Sequence, residues 1–332
     1  MFLISRRGTP FFLHFLTPVK VCSKVLDYYP MKINLQRIRK ALKNPRKIGA
    51  YLLYTFSFLF PDKLYLALQY RAHFGRKINW GSPQTYNEKI QWLKLYDRNP
   101  EYVKMVDKYA VKQYVSELIG TEHVIPLLGA WNSPDEINFG SLPEQFVLKC
   151  THDSGKVIIC KDKKKLDINL TKKELKKALK RNYYRLSREW PYKNVPRKII
   201  AEEYMVDESG YELKDYKFFC FDGVPEFCFI ACDREVPNEE TKFNFYDMDF
   251  NLLPFTNGHP NSTKPLKKPL GFEQMKSLAA KMSNGIPHVR IDFYDINGKI
   301  YFGEYTFYHW SGFVPFDPET WDYKLGELIH LP

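Results

Sequence analysis

Four side chains near the C-terminal end, Arg290, Asp292, Glu304 and Thr306, are of the types that hold a hard divalent cation and a phosphate. They lie in HVRIDFYDINGKIYFGEYTFYHWSGF, residues 288–313, where two apolar runs flank Ile296-Asn297-Gly298 and read as a β-hairpin. Loop length decides where the charges point. A two-residue Asn297-Gly298 turn pairs Asp292 with Gly303 and sends Asp292 and Glu304 to opposite faces. A three-residue loop, with Gly298 left-handed as a bulge, pairs Asp295 with Lys299 instead. Arg290 then opposes Glu304, Asp292 opposes Phe302, and all four polar residues share one face. The three-residue loop is therefore expected, against the local preference of Asn-Gly for the shorter turn.

The elements that must position this hairpin are drawn from a chain of 332 residues, 44% hydrophobic and 16% aromatic, which excludes global disorder. A formal net charge of +12 invites nucleic acid or anionic lipid as partners. No nucleic-acid motif accompanies the charge, so no nucleic-acid partner is expected. A phosphate-bearing substrate, an anionic membrane surface or a solvated basic face accounts for it equally. Six cysteines without CxxC spacing, most of them in apolar runs, read as reduced core residues and not as zinc ligands.

Met1–Tyr29 is interrupted by Arg6, Arg7, Lys20 and Lys24, and lacks a clean apolar core with a cleavage site. Residues 1–30 are taken as an N-terminal extension. Ala50–Phe60 is too short to span a bilayer and reads as a buried helix in preference to an interfacial one. Residues 31–140 read as mainly helical. Ile90 and Leu93 give an apolar face within Asn87–Tyr96, and Val103, Val106, Ala110, Tyr114 and Leu118 another within a single helix over Tyr102–Ile119. No catalytic constellation is seen there.

The second half is richer in strands. Phe146–Cys150 carries one lysine, Lys149, and the loop Thr151-His152-Asp153-Ser154-Gly155-Lys156 leads to a return strand, Val157–Cys160. A strand lysine with a small polar loop suits polyphosphate. Asp167–Trp190 reads as a basic helix capped by Thr171 and Glu174. Lys198–Met205 is a buried strand ending in Glu202 and Glu203, and Asp215–Phe221 pairs with Val224–Ala231 across Asp222-Gly223. Phe272–Asn284 is an amphipathic helix leading to the hairpin.

The succession of these parts resembles the ATP-grasp superfamily, and more closely its TupA-like branch, found with teichuronopeptide and capsular or exopolysaccharide biosynthesis. The resemblance runs from about Phe60 to the C-terminus. Its specific pieces are LFPDK at 59–63, YNEKIQWLKLYDRNP at 86–100, VLKCTHDSG at 147–155, IAEEYM at 200–205, DYKFFCF at 215–221 and IYFGEYTF at 300–307. It implies an α+β fold: two α+β lobes, 141–205 and 206–332, whose antiparallel sheets clamp ATP, preceded by a mainly helical N-terminal region. It places Lys149 on the ATP phosphates and His152, Asp153, Ser154, Gly155 and Lys156 in the loop that covers them. Glu202, Glu203, Tyr204 and Met205 fall on the adenine-binding hinge, and Asp215 on the ribose. Asp292, Glu304 and Thr306 match the Mg²⁺ shell, although members usually place Asn where Thr306 stands. Arg290, with Lys217 and Arg234, would neutralise the transferring phosphoryl group. Where members commonly read Pro-Gly this chain has His309-Trp310, with His309 read as a packed or hydrogen-bonded surface histidine in preference to a general base.

Superfamily chemistry phosphorylates a carboxylate with ATP and then joins it to an amine, with Mg²⁺, lysine and arginine supplying charge. The leading expectation is an ATP- and Mg²⁺-dependent carboxylate–amine ligase. Its partners would be ATP, a carboxylate-bearing sugar or polymer precursor and an amine donor. It would be cytoplasmic, with peripheral contact at the inner membrane face as an open alternative. Two other readings stay open: a glycosyltransferase or sugar kinase, motivated by Asp247-Met248-Asp249, and a non-enzymatic basic polysaccharide binder.

Overall fold

A computed structural model describes residues 53–155, 157–207, 210, 213–232, 240–263 and 266–332, without the side chain of Cys232. Expectations for residues 1–52, Lys156 and Arg234 fall outside that range. The chain divides into two compact units between Asn79 and Trp80. In the first, helix α1 (Asp62–Phe74) buries Tyr65, Leu66 and Tyr70 and ends at Gly75, left-handed at φ 71°. The described part of the 50–60 stretch departs from the buried helix expected there. Residues 53–55 are helical but not buried, a short 3-10 turn, Ser57–Leu59, follows, and Phe56, Phe58 and Leu59 are exposed. Pro61 forces Phe60 into extended geometry and so stops any helix running through.

The second unit begins with helices α2 (Tyr86–Tyr96), α3 (Glu101–Val106) and α4 (Ala110–Ile119). A capping box starts α2: Thr85 Oγ1 accepts from Glu88 N at 3.2 Å, and Glu88 Oε2 accepts from Thr85 N at 3.4 Å. The single helix expected over Tyr102–Ile119 is in fact two. Asp107 turns extended, its carboxylate accepts from Tyr109 N at 2.9 Å, and Lys108 N donates to Thr151 O at 3.3 Å. Asp107 thus competes with the helix for its own backbone.

Strands β1 (Leu127–Trp131), β2 (Phe146–Cys150), β3 (Val157–Cys160) and β4 (Ile199–Glu203) form an antiparallel sheet in the order β1-β4-β2-β3. The first lobe therefore draws in a strand upstream of residue 141. Phe146, Leu148, Ile199 and Ala201 pack on Leu175 and Ala178 of helix α5 (Ile168–Leu179). Strand alternation leaves Lys149, Ile200 and Glu202 on the opposite face. The basic helix expected over Asp167–Trp190 is shorter and capped differently. Asp167 accepts from Leu170 N at 2.9 Å, Thr171 is buried, and a separate short helix, α6 (Tyr183–Ser187), follows Asn182.

The larger sheet, ordered β10-β9-β5-β6-β7, comprises β5 (Tyr216–Phe221), β6 (Val224–Cys232), β7 (Lys242–Asp247), β9 (Val289–Ile296) and β10 (Lys299–Thr306). The short strands β8 (Thr256–Asn257) and β11 (Phe316–Asp317) pair beside it. Helix α7 (Phe272–Ser283) covers one face, with Phe218 and Phe272 rings 5.5 Å apart. Helix α8 (Thr320–Glu327) closes the chain, its Asp322 carboxylate accepting from Asn87 N at 2.9 Å.

The β9–β10 hairpin corrects the opening expectation in an instructive way. Its turn has two residues: Lys299 pairs with Ile296, and Asn297 and Gly298 are both left-handed, at φ 54° and 84°. The extra residue sits further along, at Gly303, where the register shifts between Phe302 and Glu304. A Cβ there would lie 3.1 Å from Asp292 O, so glycine suits this bulge. Beyond it Asp292 pairs with Glu304, and Arg290 with Thr306. The charges reach one face by a mid-strand bulge and not by a longer loop.

Candidate active site

Three adjacent strands each supply one charge to a single rung: Lys217 of β5 pairs with Asp292 of β9, which pairs with Glu304 of β10. The ammonium of Lys217 contacts Asp292 Oδ2 and lies 3.3 Å from Asp215 Oδ1. On the next rung Arg290 donates from Nε to Asp292 Oδ1 at 2.7 Å and from Nη2 to Asp292 Oδ2 at 2.8 Å. Its Nη2 also reaches Glu304 Oε1 at 3.2 Å. Asp292 is therefore clasped by two cations, and its side chain is 1% exposed against 36% for Glu304. Burial pushes the Asp292 pKa up, against the pull of Arg290 and Lys217. For Glu304 burial is outweighed by Lys217, Arg290 and Lys108, which together hold the carboxyl below its ordinary range.

His309 completes the guanidinium's surroundings. Arg290 Nη1 donates to His309 Nδ1 at 2.8 Å, so the proton sits on Nε2, which faces Asn257 Oδ1 at 3.0 Å. The histidine is buried, not at the surface, and burial with Arg290 alongside keeps it neutral. The turn after it holds Trp310 and Ser311 left-handed, at φ 48° and 54°. Buried Lys94 secures that turn by donating to Ser311 O at 2.7 Å.

A narrow cleft runs from this face to the first sheet, lined by Lys108, Lys112, Lys149 and Glu202 on one side and Gly303 and Glu304 on the other. Glu202 is paired with Lys149 and, at 2.7 Å, with Lys112. Burial raises its pKa, but the two lysines more than reverse that and hold it low. Lys108 donates to Asp153 O at 2.7 Å. Burial lowers the pKa of Lys108 and Lys112, with Glu304 and Glu202 respectively opposing the shift. Tyr192 also lines the cleft.

The residues expected to form the phosphate loop divide. His152 and Asp153 are buried, Asp153 bonding to Arg181 at 3.1 Å, whereas Ser154 and Gly155 are exposed. Thr151 anchors the loop by accepting from Lys198 N at 3.0 Å and donating to Pro196 O at 2.6 Å. Any phosphate contact from this loop must come from the exposed portion. The residues expected to form the hinge divide too: Glu202 enters the cleft, while Glu203 and Tyr204 line an open hollow with Leu142 and Lys161 on the other side. Asp247 is occupied by a local turn, accepting from Asn251 N at 2.8 Å and Asp249 N at 3.0 Å, which removes the reason for reading Asp247-x-Asp249 as a metal pair.

Lys108 and Lys112 were not identified from the sequence, because an apparently continuous helical period hid the break that turns them inward. The available signal was Asp107, a residue type that favours caps over helix interiors. For Mg²⁺, the donor chemistry fits. Among the described residues no group of three or more His, Cys, Asp or Glu could hold a metal alone. Mg²⁺ is commonly held by one or two carboxylates plus substrate phosphates, and Asp292 and Glu304 supply such a pair.

Two antiparallel sheets facing across a cleft, cations on one wall and carboxylates with cations on the other, define an ATP-grasp protein. A profile of TupA-like ATP-grasp proteins matches residues 88–330, and the chain belongs to that family. Solved structures with similarity include D-alanine–D-alanine ligase from Helicobacter pylori, at 15% identity and a TM-score of 0.38, covering 74% of this chain and 69% of that one. Another is the ATP-grasp ligase PsnB complexed with minimal precursor, Mg and ADP, at 9% identity and 0.36, covering 67% and 57%. A third is N5-carboxyaminoimidazole synthase from Aspergillus clavatus, at 11% and 0.35, covering 61% and 44%. No curated protein sequence matches this one. Among the described residues, no helix is long and apolar enough to cross a membrane.

Proposed function

We propose that this protein is an ATP- and Mg²⁺-dependent carboxylate–amine ligase acting on a carboxylate-bearing precursor of a cell-surface polysaccharide. The observation that carries the ligase reading is that Glu304, at the end of the Lys217–Asp292–Glu304 rung, lines one cleft with Lys108, Lys112 and Lys149. Lys149, Lys108 and Lys112 would meet the ATP phosphates, with N–H groups of the exposed loop at Ser154 and Gly155 adding donors. Glu202, Glu203, Tyr204 and Met205 would border the adenine and Asp215 the ribose. Asp292 and Glu304, with Thr306 beside them, would hold Mg²⁺, which draws charge from the phosphate oxygens when bound. Arg290, kept in place by His309, would face the transferring phosphoryl group.

A substrate carboxylate oxygen attacks the γ-phosphorus, the bond to the β-phosphate oxygen breaks, and ADP departs. The amine then attacks the acyl carbon, inorganic phosphate leaves and the amine nitrogen loses a proton. No protein nucleophile is required; Lys217 and Arg290 stabilise the charge spread over the oxygens. The polysaccharide assignment is supported by the family resemblance and the basic surface alone. A sugar kinase would use the same nucleotide site and differ only in its acceptor.

The test is incubation of purified protein with ATP, Mg²⁺ and pooled sugar acids and amino acids, followed by product separation. ADP with inorganic phosphate, and a hydroxamate when hydroxylamine replaces the amines, is the expected result. AMP with pyrophosphate, or a stable phosphosugar, would overturn it.

A further inference from the structure

The turn that follows β10 is held in a conformation the chain would not adopt by itself. Trp310, Ser311 and Gly312 are left-handed in succession, at φ 48°, 54° and 62°. Glycine takes that geometry freely, whereas tryptophan and serine crowd their own carbonyls in it. Such backbone persists only where its surroundings over-determine it. Here three side chains do so. Gln91 Nε2 donates to Ser311 O at 3.0 Å and to Gly312 O at 2.8 Å. Lys94, three residues on and so on the same face of α2, donates to Ser311 O at 2.7 Å and to Gln91 Oε1 at 3.1 Å. Ser311 Oγ donates to Glu189 Oε1, which also accepts from Ser187 Oγ at 2.9 Å. The approach is close: a Cβ on Gly312 would lie 2.5 Å from Gln91 Nε2.

Gln91 and Lys94 are fully buried, and Glu189 is 4% exposed. Burial pushes the Lys94 pKa down to about 7 and the Glu189 pKa up, and each charge opposes the other's shift. Burying both charges is costly, and apolar packing would hold an ordinary turn as well. What this turn carries is His309, whose Nδ1 accepts from Arg290. Of the three side chains that accept from Arg290, Asp292 and Glu304 are carboxylates for which Mg²⁺ would compete. His309 is the neutral one. It therefore keeps its hold on the guanidinium in a filled site, and its own aim depends on the turn.

We infer that Gln91, Lys94 and Glu189 are positioning residues that aim Arg290 through the 309–312 turn and His309, resting on the ligase reading for what Arg290 then does. Ser311→Gly takes the hydroxyl from Glu189 and gives the left-handed position a residue that adopts it without strain. Lys94→Met removes the ammonium at similar length. In the full chain each should lower kcat for ADP formation at least about tenfold with the KM for ATP unchanged, and Ser311→Gly should unfold near the parent's temperature. Ring-nitrogen NMR of His309, its signals assigned by their loss in His309→Gln, should show a neutral ring protonated on Nε2 in the parent and mixed tautomers in both variants. Should Lys94→Met fail to fold, Lys94→Met/Glu189→Gln removes both charges together and decides the same question. A moved ring signal with full kcat, or a loss of kcat with the parent's ring signal, overturns the proposal. So does a kcat that falls only in step with the unfolding temperature. The tautomer is read without substrate, so a parent protein lacking ligase activity would sink the ligase reading and leave the ring signal alone to decide the positioning.

Discussion

Two carboxylates on the same rung differ in what their removal does. Asp292 is enclosed by Arg290 and Lys217, so Asp292→Asn leaves two buried cations short of a counter-charge. Breaking such a pair costs about 3–5 kcal/mol, here at the low end because Asp215 and Glu304 remain nearby. Thermal unfolding should show a large drop for Asp292→Asn and little change for Glu304→Gln, whose side chain is 36% exposed. Both should lose ATP turnover and raise the Mg²⁺ requirement; wild-type Mg²⁺ dependence in either would remove that residue from the metal shell. Lys149→Ala should weaken ATP binding by roughly 1.5–3 kcal/mol, read by calorimetry, because in the proposed site it would delete a charge-assisted phosphate contact. Glu202 keeps Lys112 in that variant, so the fold should hold. Arg290, Asp292 and Glu304 could be picked out by residue type. That Arg290 spends its donors on protein partners could not, since His309 arrives from a turn after β10 whose left-handed residues carry no sequence signature.

Elements were legible where one period ran unbroken. Phe146–Cys150, Val157–Cys160 and the Asp222-Gly223 hairpin follow directly from apolar runs and turn residues. Failures came where one residue interrupts a pattern. Asp107 splits a helix, and Gly303 shifts a strand by one position while Asn297-Gly298 takes its preferred two-residue turn. Local preference and the shared face were both satisfied, by a device that period counting does not see. The approach to β9 also sets a pH dependence. His288 Nδ1 faces Cys220 O at 3.1 Å and must donate, leaving Nε2 to accept from Tyr86 OH at 2.8 Å. Burial lowers its pKa from 6.5 to about 3. Between those values the unfolded chain binds a proton that the folded chain refuses. Stability therefore falls as pH drops below about 6.5, by at most about 1.4 kcal/mol per pH unit from this group. Urea unfolding of His288→Gln at neutral and mildly acid pH should show a shallower loss than the parent; an identical slope would mean that His288 takes up its proton without leaving the fold.

At the scale of the molecule, nucleotide and metal should act together. Saturating ATP with Mg²⁺, at about 100 times its dissociation constant, should stabilise the fold by about 2.7 kcal/mol. Chelating the metal should remove most of that shift. The clasp on Asp292 gives this a direction. Oxygens that could face a cation are already held by a guanidinium and an ammonium belonging to the same sheet. A free divalent ion must compete with these resident counter-ions and should bind poorly by itself. Arriving phosphates offer Arg290 and Lys217 another anion, which loosens their hold on Asp292 as the metal comes in. Each ligand then raises the affinity of the other by the same factor, as linkage requires. Titrating Mg²⁺ with and without a non-hydrolysable ATP analogue should reveal that reciprocity, and equal metal affinity in both titrations would exclude it. The protein would thus admit its metal as a nucleotide complex and resist stray divalent ions, a selectivity written in internal ion exchange and not in the geometry of a cage.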